Sequence, residues 1–251
     1  MIKSWEEVKV EQFIEISEEL KRLEEDEVNT IINLCAILLN KSEKEVADME
    51  FSKFKKIESA MSFIHQPIKH SNNKIVIENE EFKLMPFTTI EFGSYIDIEE
   101  LIKKDGAIFH MGKILSVLYR RSNKKKGPFS EIEYEKYSNW LESRQHYFNN
   151  LSIVDVYKTF MDYMAFRQKI LNNYPGLFSV MEKEEGELDL TGLSSKEIDA
   201  IKQDERVAKW GWETMLMKLV NNNPSKLNDA ASMPLIRALN LSSYLHELKI
   251  G

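Results

Sequence analysis

Apolar and aromatic side chains recur every three or four residues from Phe13 to Leu248, the period of helices that bury one face. Phe13, Ile16, Leu20 and Leu23, with Glu and Lys between them, predict an amphipathic helix over residues 10–23. A second helix follows Asp26, with Val28, Ile31, Cys35 and Leu38 on its inner face. Ser42-x-x-Glu45 predicts a capping box and a short helix over residues 43–48. Phe51, Phe54, Ile57, Met61 and Ile64 mark the next helix, which Pro67 ends.

Residues 74–85 change period. Lys74 to Glu78 and Glu81 to Met85, separated by Asn79-Glu80, predict a small β-hairpin that must lie on helices to persist. Residues 88–103 and 107–121 predict two helices parted at Asp105-Gly106, the second with Ile108, Met111, Ile114, Leu115 and Leu118 inward. A basic loop from Arg120 to Pro128 then leads to a helix over residues 131–149. Residues 152–173 form the clearest long helix, with Ile153, Val156, Tyr157, Phe160, Met164 and Arg167 on one stripe.

Tyr174-Pro175-Gly176 stops that helix. Residues 175–194 are acidic and poor in apolar side chains around Glu182 to Glu187, which predicts a linker or an extended arm. Helical pattern resumes at Ser195 and runs, with breaks near Pro224 and Asn240, to Leu248. The expected fold is mostly α: a multi-helix bundle with one β-hairpin at about residues 74–85 and an acidic linker or arm. Its expected organisation is a main helical domain over 1–174, the linker over 175–194, and a C-terminal helical segment over 195–251 packed on the main domain.

Composition narrows the class of protein. With 43% hydrophobic and 30% charged residues, the 251-residue chain is too apolar for disorder and long enough for a substantial core. Only 9 Gly and 6 Pro favour long helices over a turn-rich β architecture. A net charge of −7 argues against a protein devoted to coating nucleic acid, but leaves room for a local basic patch. Cys35, the single cysteine, cannot form an internal disulfide and reads as a small buried hydrophobe within an apolar run. The N-terminal residues lack the apolar core of a signal peptide, and the longest apolar run, 31–39, is too short to cross a bilayer. The expectation is a protein of cytoplasmic origin with no membrane partner.

Candidate chemistry is sparse. His65 and His70 are five apart around Pro67, so they cannot share a helix face as a zinc pair would, and no metal or other cofactor is expected. His246-Glu247 lacks the second histidine of a zinc-protease motif. Gly93-Ser94-Tyr95 has no preceding strand and no second glycine, so Gly93 reads as a tight helix contact and not as part of a nucleophile elbow. Asp97, Glu99 and Glu100 read as a solvated helix face, or else a cation-binding cluster. No catalytic residues are expected.

Two features are candidate contacts. Arg120, Arg121, Lys124, Lys125 and Lys126 place five positive charges within seven residues, a run able to touch phosphates without reading sequence or to dock on an acidic neighbour. Trp210, Gly211 and Trp212 put two large aromatics around a glycine, which suits a core anchor or a close backbone approach by a partner.

Three segments carry a resemblance. Ser4-Trp5-Glu6-Glu7-Val8-Lys9-Val10-Glu11-Gln12-Phe13 resembles the opening of proteins encoded in phage tail modules. Thr88-Thr89-Ile90-Glu91-Phe92-Gly93-Ser94-Tyr95-Ile96-Asp97, followed by Ile114-Leu115-Ser116-Val117-Leu118-Tyr119-Arg120, is similar to their middle region. Trp210-Gly211-Trp212, Met217-Lys218-Leu219-Val220, Lys226-Leu227 and Leu235-Ile236-Arg237-Ala238-Leu239 are similar to their closing region. The chain thus resembles tail or head–tail connector proteins of short-tailed phages, the crAss-like phages among them, and tail assembly chaperone-like proteins. It departs from their pattern where Arg121 and the lysine-rich loop stand in place of a proline after Leu118-Tyr119-Arg120.

The resemblance implies a non-enzymatic virion protein, a homo-oligomeric ring subunit that meets other tail or portal proteins and is made in the host cytoplasm. Its alternatives are a tail assembly chaperone absent from the mature particle, and a non-specific nucleic-acid-binding factor acting through the basic loop. Within a ring, the acidic arm of one copy is a candidate partner for the basic loop of the next.

Overall fold

The computed structural model describes residues 1–68, 72, 74–124, 132–137, 141–178 and 211–248. The chain is mostly α-helical with a small antiparallel sheet. It forms two compact units, Met1–Met85 with Glu100–Tyr163, and Pro86–Glu99 with Met164–Gly251. Of the expected linker, Pro175–Phe178 is helical and residues 179–194 lie outside the described residues.

In the first unit, α1 (Val10–Lys21) buries Val10 and Ile16. The Asp26 carboxylate caps α2 (Glu27–Leu39) by accepting from the Asn29 backbone N–H at 3.2 Å, and Asn40 ends it in the left-handed region at φ 51°. The expected capping box is present at α3 (Glu43–Ala47): Ser42 Oγ accepts from Glu45 N–H, and the Glu45 carboxylate accepts from Ser42 N–H at 3.0 Å. Helix α4 (Phe51–Ala60) runs into a 3₁₀ turn over Met61–His65, just ahead of Pro67.

The expected hairpin is formed by β1 (Lys74–Ile77) and β2 (Glu80–Leu84). Its turn is Glu78-Asn79, one residue earlier than expected, with φ of 50° and 66°. Two consecutive left-handed residues are what a two-residue turn between right-twisted strands requires.

The hairpin does not stand alone, and here the sequence reading needs correction. Helix α6 (Met111–Leu118) ends three residues before the expected Arg121, and β3 (Tyr119–Lys124) pairs with β2, setting Phe82 opposite Arg121 and Leu84 opposite Tyr119. Part of the expected helix over 131–149 is instead β4 (Ile132–Tyr134), and among the described residues of that stretch α7 (Leu141–Asn149) is the helical part. The order is β1-β2-β3-β4, all neighbours antiparallel. The physical reason is that β2 has a second row of backbone donors and acceptors to satisfy, and 119–124 lacks an apolar helical stripe that would compete.

Helix α6 is the centre of this unit: all its residues but Lys113 are buried, and it packs along α7. Gly112 allows that approach, because a Cβ there would run into the Asn149 side chain and lie 3.4 Å from the Gln145 carbonyl oxygen.

Long helix α8 (Ile153–Asn173) matches the expected 152–173 and passes from one unit to the other, as does α5 (Phe92–Asp105). The second unit then holds α9 (Pro175–Phe178), α10 (residues 211–219), α11 (Leu227–Ala231) and α12 (Leu235–Glu247). Gly93 does make the expected tight helix contact, since a Cβ there would lie 3.0 Å from the Ala231 Cβ. The expected break at Asn240 is absent: α12 runs through it, and Asn240 Oδ1 accepts from the Tyr174 hydroxyl at 2.7 Å.

Candidate interaction surfaces

The five basic candidates do not form one exposed patch. Arg120 is wholly buried, with 0% exposure. Its Nε–H donates to the Val117 carbonyl at 3.0 Å, an Nη–H donates to the Glu135 carbonyl at 3.2 Å, and its guanidinium lies 5.5 Å from the centre of the Tyr137 ring. A planar fork of donors suits two carbonyls at the strand start, where a lysine would reach only one direction. Arg121, the next residue on β3, points to the other side: it is half exposed, ion-paired with Glu80 and stacked 5.6 Å over Phe82. Lys124 closes β3 opposite Ile132, while Lys125 and Lys126 lie outside the described residues. The acidic arm expected to meet this loop also lies outside them. Arg120 is therefore removed from any phosphate or partner contact.

Glu135 organises this corner, and sequence reasoning did not single it out. Its carbonyl accepts from Arg120, its N–H donates to the Arg121 carbonyl at 3.0 Å, and its carboxylate accepts from Arg144 Nη2 at 2.8 and 3.0 Å.

In the second unit, Trp212 is a core anchor. Its ring meets Phe92, Tyr95 and Phe178 edge-on at 6.0, 5.8 and 5.7 Å, the arrangement that opposes negative ring faces to positive edges. Gly211 beside it is buried, and Trp210 lies outside the described residues. Glu99 departs from the expected solvated face: at 7% exposure it accepts from Arg167 Nε and Nη2, each at 2.7 Å, a two-point ion pair.

Cys35 is the expected buried hydrophobe, 3.7 Å from Met61 Sδ, with its thiol pushed up to about 11 by burial and by the nearby Glu58. Among the described residues, no group of three or more His, Cys, Asp or Glu is placed to hold a metal ion, and no helix is long and apolar enough to cross a membrane.

What faces outward is more informative. Between α1, α2 and α3 lies an open groove of about 760 Å³ lined by Glu11, Glu15, Glu18, Glu19 and Glu43, with Lys41 and Lys44 at one side. Burial, then Glu11 and Glu18, raise the Glu15 carboxyl above its ordinary value. A second recess, of about 350 Å³, opens between α1, α2 and the end of α4, and Leu20, Leu23, Ile31 and Ile64 supply its apolar floor. Glu27 and Glu58 stand at its rim, the latter accepting from Lys55 Nζ at 2.6 Å. Val28, 69% exposed, stands one helical turn before Ile31 on α2.

Helix α12 carries apolar residues on two faces. Leu235, Ala238, Leu239 and Ser242 are buried in the second unit. Leu241, Tyr244 and Leu248, spaced by three and four, stand outward, with Tyr244 58% exposed. Arg237 precedes them on the same stripe and is also exposed. A helix apolar on two sides has one side more than its own unit covers.

Comparison of this chain with known protein families, curated proteins and solved structures finds no match.

Proposed function

We propose that this protein is a non-enzymatic, self-associating structural subunit, and that, as its resemblance implies, it repeats as a ring around the tail or head–tail connector of a short-tailed phage. The observation that carries the reading is the outward stripe of Leu241 and Tyr244 on α12 with Leu248 at its C-cap, large apolar side chains at helical spacing on a helix whose other face is already buried. Aligned exposed apolar residues of this kind mark surfaces that meet another chain. The mechanism is burial of such surface between like copies and their neighbours, with the phage tail or portal proteins as further partners.

The nucleic-acid reading loses support from the corner at β3, where Arg120 is internal and the Arg121 charge is met by Glu80. An assembly chaperone would use the same apolar stripe, and the two roles differ in where the protein ends up. Quantitative mass spectrometry of purified virions tests this. The protein is expected in the particles in fixed proportion to the portal subunit. Abundance in infected lysate with absence from particles would make it a chaperone and overturn the ring reading.

A further inference from the structure

Among the described residues, one chain carries both a projecting apolar stripe and an apolar recess with an acidic border. We propose that the outward stripe of α12 seats in the α1–α2–α4 recess of a second copy of this chain. The inference rests on the self-association reading and names its interface.

The stripe has the side-chain spacing of a groove-bound helix. A helix that lies in a groove anchors itself through residues at i, i+3 and i+7, and Leu241, Tyr244 and Leu248 have that spacing. The recess is concave, and its floor of Leu20, Leu23, Ile31 and Ile64 presents the chemistry those anchors need. Val28 extends the apolar surface along α2.

Charge sets the direction. Arg237 stands one turn before Leu241 on the same stripe. The turn from α1 into α2 exposes Glu24, Glu25, Asp26 and Glu27 in succession at one end of the recess. With the N-terminal end of α12 toward that turn, Arg237 meets the exposed carboxylates of Glu24, Glu25 and Glu27, beside the Asp26 that caps α2. Pairing α12 with another α12 would also bury the stripe, but it would leave the recess empty and bring Arg237 to no acidic turn.

Because the stripe and the recess are different elements, their contact is head-to-tail, and each copy uses both. Such contacts close into rings or run on as filaments. This is the geometry that a ring subunit requires.

The test uses two variants of the full chain, Val28→Asp and Tyr244→Asp, each at an exposed side chain, with circular dichroism to check that both stay folded. Sedimentation velocity then follows wild type, each variant alone, and an equimolar mixture. Wild type is expected to associate, and each variant alone to associate about tenfold more weakly, the scale of losing an interface anchor. The mixture is expected to form a dimer and nothing larger, because each variant keeps one intact surface for the other. Wild-type association unchanged in both variants would overturn this interface and leave self-association standing. Loss in Tyr244→Asp alone, without recovery in the mixture, would assign the contact to α12 against α12. A wild-type chain that is monomeric throughout would sink the self-association reading as well.

Discussion

The corner where α6 turns into β3 and the outward face of α12 both break the rule that charge faces water and apolar groups do not, and they break it in opposite ways. At the corner a guanidinium is fully buried, and the chain itself supplies what it needs: the Val117 and Glu135 carbonyls and the Tyr137 ring. On α12 the exception is an apolar stripe left outside. An exception satisfied from within explains stability. One left open among the described residues points to a partner. The feature left open is therefore not the basic run, conspicuous as it is in the sequence, but a helix face whose outward character only the fold makes visible.

The largest expected effect lies at the corner. Arg120→Leu leaves two carbonyls without their charged donor and is expected to cost about 3 kcal/mol of unfolding free energy, at roughly 1.5 kcal/mol or more for each charge-assisted bond. Urea unfolding checks it, with a lower midpoint and an unchanged slope. Arg121→Leu, one residue on, removes an exposed pair and is expected to stay within about 0.5 kcal/mol. Equal costs at the two positions would erase the distinction between them.

A similar-sized contrast is expected between the two faces of α12. Leu239→Ala removes a wholly buried side chain and is expected to cost about 3 kcal/mol, while Leu241→Asp, two residues on, is expected to change the stability of the isolated subunit by less than about 0.5 kcal/mol. A large loss at Leu241 would mean that its face is already used inside the chain.

The smallest effect is a pH dependence at an exposed charge that is satisfied locally. Hydrogen bonds from the Ser42 backbone and hydroxyl, and then Lys41, lower the Glu45 carboxyl to about 2 from an ordinary 4.5. A carboxyl held lower in the folded state than in the unfolded one stabilises the fold above its unfolded value, and that contribution fades as pH falls from 4.5 toward 2. Glu45→Gln is expected to flatten that part of the stability profile and leave the neutral region nearly unchanged, as unfolding curves across this acid range can show.

Much of the fold was legible in the sequence. Periodicity located α1, α2, α4 and α8, the Ser42-x-x-Glu45 pattern located α3, and the change of period at 74–85 located the hairpin. These elements are specified by neighbours three or four residues away. What escaped was decided by distant ones. Arg120 looked solvated because it sits in a run of charges, and its acceptor at Glu135 and its ring at Tyr137 lie across the β3–β4 connection. Glu99 looked like part of an acidic face because Arg167 is 68 residues away. The stripe on α12 was visible as helical spacing, but which of its apolar residues turn inward depends on what the rest of the second unit covers. Of the candidate contacts, Trp212 resolved into a core anchor through Phe92, Tyr95 and Phe178, none of them near it in sequence.

The most direct measurement is the mass of the wild-type chain in solution by sedimentation equilibrium over a wide range of concentration. A self-associating subunit with head-to-tail surfaces is expected to grow beyond a dimer toward a closed oligomer as concentration rises. A single monomeric species at every concentration would contradict the account.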